Sequence, residues 1–242
     1  MSNRDFPVGA PLPDWTPPPA PDFTRLEGRT VRLERLDPDA HGAGLFDAYR
    51  AAADAGDWAY LPYGPFDDRA TFDPWLVGMA AKSDPRFYTI CVADSGAPRG
   101  LLSLMRIAPE AGSIEVGHIH FAPELQGTAG ATEAIWLCMN WVFSAGYRRF
   151  EWKCDALNAR SRNAAARFGF TYEGTFRQAG IVKGRNRDTA WFAIIDRDWP
   201  ALAYAYRRWL SPENFDSDGR QRQSLRDLTA PIVSEADTDS IN

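Results

Sequence analysis

No stretch of about eighteen apolar residues occurs anywhere in the 242-residue chain, so nothing in it is long enough to cross a bilayer as a helix. The amino terminus lacks a basic-then-apolar pattern, which argues against a signal peptide. Cysteine is sparse. Cys91, Cys138 and Cys154 are an odd number, set in apolar surroundings without CxxC spacing, and they read as reduced core thiols of a cytoplasmic protein. Histidine is as scarce. His118 and His120 lie two apart on one strand face, as a metal pair would, but His41 is the only other histidine and no carboxylate or thiol completes a ligand pattern. No metal is expected. Nor is there an excess of positive charge: a formal net charge of −5 disfavours a polyanionic partner, so direct nucleic-acid binding is not expected.

What is present is enough apolar surface for one substantial core, with 45% hydrophobic and 13% aromatic residues. The expected organisation is a Pro-rich arm over 1–25, one domain over 26–210 and a polar, loosely ordered tail over 211–242. Phe6, Trp15 and Phe23 either pin the arm to the domain or leave it free. Leu225, Leu228 and Ile232 are the only anchors of the tail.

Alternating β-branched and aromatic runs predict strands over 30–36, 87–93, 100–107, 113–121, 149–154, 172–182 and 189–195. Helical spacing predicts helices over 37–53, 68–81, 132–143, 160–168 and 196–210. An aromatic loop, 58–66, precedes the second helix, where it either packs beneath the helices or recognises a ligand. A charged hairpin tip is expected over 183–188, either a solvated turn or a contact for an acidic acceptor or a ligand phosphate. Seven strands and five helices in mixed order give an α/β or α+β chain built on a central mixed sheet.

The chain is organised around 113–143. A strand breaks at Ala122-Pro123, a small-residue turn follows, and then a helix begins. A strand, loop and helix in that order aim several backbone N–H groups and a helix dipole at one point, a general means of holding phosphates. A P-loop needs Lys-Ser or Lys-Thr after its last glycine, and Ala131-Thr132 stands there instead. A dinucleotide fingerprint needs three spaced glycines, and only Gly127 and Gly130 are available.

Gln126-Gly127-Thr128-Ala129-Gly130-Ala131 resembles the Gln/Arg-x-x-Gly-x-Gly/Ala loop of the GNAT superfamily of acetyl-CoA-dependent N-acetyltransferases. Ala129 departs from the family's glycine, and a methyl group fits there as long as φ stays negative. A second match lies about thirty residues on, where Asn158-Ala-Arg-Ser161 and Gly169-Phe170 resemble the segment after the family's fifth strand. Glu173-Gly174, Arg177 and 188–192 resemble the RimJ/RimL branch, which acetylates ribosomal-protein N-termini. The likeness covers roughly 29–209.

The resemblance implies a mostly antiparallel seven-stranded sheet with a splayed strand pair, acetyl-CoA as co-substrate, and a primary amine as acceptor, either a peptide N-terminus or a small molecule. Monomer and homodimer both stay open. The main chain of Ile119, His120 and Phe121 would meet the thioester and pantetheine, and the amides from Gln126 through Ala131 the pyrophosphate. Asn158 caps a helix or bonds the pantetheine amide, or both. Ala165 stands where many relatives carry a tyrosine acid. The branch points to Ser161 for that role, the other reading being a polar first turn of its helix. For the base, Glu115 shares a strand face with Ile119 and can approach the amine directly or through water. Glu133 reads as dipole-complementing or structural, with Glu173 a weaker candidate base. His120 can tune the amine's protonation or simply face the acceptor. From another class, the same chain reads as an acyl-CoA-binding sensor without turnover, or as a nucleotide-phosphate binder.

Overall fold

The computed structural model describes residues 8–50 and 55–239. One mixed sheet runs in the order β1-β2-β3-β4-β5-β6-β8-β7. Its strands are β1 Arg25–Glu27, β2 Val31–Arg35, β3 Arg86–Val92, β4 Pro98–Ala108, β5 Ser113–Phe121, β6 Arg149–Asp155, β7 Thr171–Val182 and β8 Arg185–Ile195. The helices are α1 Pro38–Arg50, α2 Arg69–Ala80, α3 Ala129–Ser144, α4 Ala159–Arg167, α5 Trp199–Leu210 and α6 Leu225–Asp239. Every adjacent pair is antiparallel except β5 with β6. The mixed, mostly antiparallel sheet expected from sequence is present, with eight strands among the described residues rather than seven. The addition is β1, at three residues too short to show a period.

Two cores form because strand side chains alternate between faces. On one face Val31, Leu33, Ile90, Leu102, Ile114, Val116, Phe150 and Ile194 meet α3 and α5. Ile135, Cys138, Met139 and Val142 of α3, spaced i, i+3, i+4 and i+7, are all fully buried. Burying each such apolar side chain contributes about 1.5–3 kcal/mol. On the other face α1 and α2 pack Leu45, Phe46, Phe72 and Leu76 against Leu36, Phe87 and Leu101. Among the strands that second core draws on β3 and β4, with Leu36 after β2 and Ala122 after β5 at its margins, so the β5-β6-β8 half of this face is left for the cleft described below. No helix among the described residues is long and apolar enough to cross a membrane. All three cysteines are free and buried.

Both chain ends differ from a simple pair of loose tails. Phe23 stacks on Tyr88 at 4.4 Å, Pro18 is buried, and the Tyr147 hydroxyl donates to the Pro19 carbonyl at 3.0 Å, so the arm lies against the domain. Phe6 and positions 51–53 lie outside the described residues. The segment expected to be loosely ordered contains α6, which packs on α5 and α4. Its anchors Leu225, Leu228 and Ile232 fall at i, i+3 and i+7, and Leu225 and Thr229 are fully buried. The helical period was there; polar composition around it hid it. The charged hairpin tip also shrinks. Lys183 at φ +49° and Gly184 at φ +73° form a two-residue turn with both central residues left-handed, so β8 starts at Arg185.

Candidate active site

Pairing between β5 and β6 stops at Val116 with Trp152, although β5 continues to Phe121 and β6 to Asp155. The two strands part there, and the backbone of 117–121 loses its neighbour on that side. On its other side β5 carries a bulge. Leu101 faces His120 but Ser103 faces Gly117, so β5 holds one extra residue, and His118 takes φ +51°. A bulge re-aims the strand beyond it, here the main chain of Ile119, His120 and Phe121. The opening leads into a cleft of 1690 Å³ lined by β5, the start of α3, α4 and the inner face of the β7–β8 hairpin.

At the mouth of the opening, Thr128 caps α3. Its hydroxyl donates to the Leu125 carbonyl at 2.8 Å and accepts from the Ala131 amide at 3.3 Å. The amides of Gly127, Ala129 and Gly130 have no partner among the described residues, and they stand at the positive end of a sixteen-residue helix. Gly127 is left-handed at φ +72°, with open space where a side chain would stand. Ala129 keeps φ out of the left-handed region, so its methyl is accommodated. Gly130 is required by packing: a Cβ would come within 2.9 Å of Val31 Cγ1. Gln126 turns its side chain inward, its Nε2 donating to the Phe121 carbonyl at 3.0 Å.

Across the opening, Asn158 caps α4, its Oδ1 accepting from the Ser161 amide at 3.0 Å. Nδ2 has no partner among the described residues and remains a donor on the cleft wall. Ser161 Oγ accepts from Trp152 Nε1 at 2.9 Å. With a lone pair occupied by the indole, the hydroxyl is oriented to donate, and it lies against the Cys154 thiol, whose pKa burial raises while the Ser161 hydrogen bond pulls the other way. A sulfur atom on this wall is thus within reach of the hydroxyl. Ala165, by contrast, is fully buried in the core.

On the opposite face, beneath the hairpin, Glu115 is only 3% exposed. Its Oε2 accepts from Arg106 Nη1 at 2.7 Å and sits 2.8 Å from Lys153 Nζ. Oε1 has no partner among the described residues. Arg106 is delivered by a second bulge, at φ +46°, pinned where the Asp84 carboxylate accepts the amides of Arg106 and Ile107 at 2.9 and 3.0 Å. Lys153, with a 4% exposed side chain, also meets Glu151 at 2.6 Å and lies 3.7 Å from the Trp191 ring centroid. Sequence reasoning missed Lys153 and Arg106; alternation on β6 places Lys153 on this face, but nothing local marks it as buried. Glu173 pairs with Arg149 and does not line the cleft. Glu133 also lies outside it. Its carboxylate accepts from the amides of Arg29, Thr30 and Val31 at 2.8, 2.7 and 3.1 Å and from the Thr30 hydroxyl, so its part is structural.

The aromatic loop packs rather than waves. Trp58 stacks on His120 at 3.9 Å, and Tyr63 donates to or accepts from His118 Nδ1 at 2.9 Å. Lys183 Nζ reaches across from the hairpin to the carbonyls of Trp58 and Gly64, both at 2.8 Å, and Tyr60 reaches the Leu157 carbonyl at 3.2 Å. Loop and hairpin thereby roof the cleft. Burial holds the His118 and His120 imidazoles down at about 4, with the cations Lys82, Arg106 and Arg187 adding to the effect at His118. The folded state therefore favours the neutral rings. That stability is complete above the ordinary value of 6.5 and drains away as pH falls toward 4. Urea unfolding across this window is expected to show an acid limb that His120→Phe, which keeps the stacking, flattens. An unchanged limb would show that His120 is solvated.

His41 joins Glu34 and Cys91 in a tight group, but both of its nitrogens are engaged, Nε2 with Glu34 at 3.1 Å and Nδ1 with the Asp37 amide and the Thr89 hydroxyl. Burial pushes the Cys91 thiol up to about 12, so the trio is a structural knot.

Residues 31–171 match the model of the acetyltransferase (GNAT) domain. The chain belongs to the GNAT acetyltransferase family. This acyltransferase is 47% identical to a GCN5-related N-acetyltransferase from Brucella melitensis, over 90% of its own length and 100% of the other, with a TM-score of 0.88. A GNAT-family acetyltransferase from Chromobacterium violaceum is 42% identical, over 83% and 100% of the two chains, with a TM-score of 0.76. In fold alone, the acetyltransferase is similar to an enzyme from Salmonella typhimurium that modifies the N-terminal serine of ribosomal protein L7/L12, at 23% identity, 69% and 96% coverage and a TM-score of 0.59. No curated protein matches this acetyltransferase.

Proposed function

We propose that the chain transfers an acetyl group from acetyl-CoA to a primary amine by direct attack in a ternary complex. One observation carries the reading: β5 and β6 part beyond Val116, beside a helix start with free amides. Bound acetyl-CoA would supply the activated acetyl group. The amides of Gly127, Ala129 and Gly130 face its pyrophosphate, within the run from Gln126 to Ala131. The main chain of Ile119, His120 and Phe121 lies along the pantetheine, with an amide near the thioester carbonyl, and Asn158 Nδ2 donates to a pantetheine amide. Glu115 Oε1 takes the proton of the amine, directly or through water, and Ser161 returns a proton to the departing thiolate. Ser161→Ala with unchanged turnover would remove it from the chemistry.

The acceptor is a peptide N-terminus or a small amine, met in the cytoplasm. The fold shared with the Salmonella enzyme, whose acceptor is an N-terminal serine, supports the first. Ala165 in place of a tyrosine acid favours a rival reading, an acyl-CoA-binding sensor without turnover. Both readings expect acetyl-CoA to stabilise the fold by about 2.7 kcal/mol at a hundredfold excess over Kd. Only the enzyme releases free thiol when offered a panel of amines and peptides. Stabilisation without thiol release from any acceptor would establish the sensor, and ATP or NAD acting in place of CoA would sink both.

A further inference from the structure

The cleft does not end at the start of α3. It continues past Thr132 and Arg167 to Trp209, Phe215 and Arg220, so residues after α5 build its far wall. These last three residues fall outside the stretch that matches the family model, which stops at 171.

The wall is a built structure. Asn214 clamps it: Oδ1 accepts from the Gln223 amide at 3.0 Å, Nδ2 donates to the Trp209 carbonyl at 3.0 Å, and its own carbonyl accepts from the Arg222 amide at 2.6 Å. Trp209 Nε1 donates to Gln221 Oε1 at 2.8 Å, and Phe215 bridges to Gln221 as a short antiparallel pair. At the tip, Asp216 Oδ1 accepts from the Arg220 amide at 2.8 Å, which fixes the base of a side chain that is itself 79% exposed. The nearest carboxylate to that guanidinium is Asp218, at 3.7 Å and also exposed.

Arg167 is the second cation on this path. Both Nη atoms donate to the Thr132 hydroxyl at 3.1 Å, in the first turn of α3, and the guanidinium lies over the Trp209 ring at 5.3 Å. No carboxylate pairs with it among the described residues. A half-buried guanidinium without a counterion, next to free helix-start amides, is suited to an anion, and its planar fork matches phosphate oxygens.

We infer that the segment after α5 holds the adenosine 3′-phosphate end of CoA, with Arg220 pairing the 3′-phosphate, Arg167 the diphosphate, and Phe215 flanking the base. The inference rests on the CoA reading above. It is tested by calorimetry on the full chain with CoA and with 3′-dephospho-CoA, which differ only in that phosphate.

Dephospho-CoA is expected to bind about tenfold more weakly, the size of one charge-assisted contact. Arg220→Ala, a surface change that leaves the fold intact, should bring CoA to the dephospho-CoA level and leave dephospho-CoA unchanged. Arg167→Met should weaken both ligands alike. Equal binding of the two ligands to the natural chain, with Arg220→Ala silent, overturns the inference and leaves the proposed function standing. Absence of heat from either ligand overturns the proposed function itself.

Discussion

Glu115→Gln is expected to lower kcat by about 10²- to 10⁴-fold, the range that a positioned general base contributes. CoA affinity should stay. The two oxygens of this carboxylate have different duties. Oε2 is held by Arg106 and Lys153, and Oε1, without a partner among the described residues, is the one that would take the proton in the proposed reaction. Glutamine keeps the shape and one acceptor but cannot carry the proton. The variant should still fold, because Lys153 retains Glu151 at 2.6 Å and is not left as an unpaired buried charge. Rates measured across pH on the variant decide the matter. A pH profile that matches the natural enzyme would make Glu115 a positioning residue for Lys153 and leave the base to a water ordered elsewhere.

The second large effect concerns stability. Glu133→Ala should cost about 4 kcal/mol, since three backbone amides and a hydroxyl lose their acceptor, and a stranded donor costs about 1–3 kcal/mol when buried, as at Val31, and less where part-buried, as at Arg29 and Thr30. Glu133 itself is 3% exposed, so relief is limited. Glu133→Gln should fall between, because its amide group turns a donor toward other donors. Urea midpoints at constant slope measure both. A loss under 1 kcal/mol for the alanine variant would mean that the β1–β2 turn finds other acceptors.

The sheet was legible from the sequence because alternation on β2, β5, β6 and β8 is undiluted, and the small-residue run at 126–131 could be placed between strand and helix on its own spacing. Ser161 and Asn158 were visible as a helix start, and they do stand together on the cleft wall. What stayed hidden was non-local. The partners of Glu115 come from a left-handed bulge at Arg106 and from a buried ammonium at Lys153, and neither burial nor positive φ has a local sequence sign in a residue that is usually solvated. The wall after α5 was missed for a different reason: polar residues there bond to one another, as Asn214 does, instead of facing solvent.

The bonds to Glu133 also bear on where the chain can be cut. A fragment trimmed to begin at Val31, where the family match starts, would discard two of the three amides that bind the Glu133 carboxylate near the start of α3. The 126–131 loop would then sit on a helix whose carboxylate anchor has lost most of its moorings, 103 residues away in sequence from the nearer missing donor. Shortening the gene to its recognisable part would therefore damage a site that lies wholly inside the part retained.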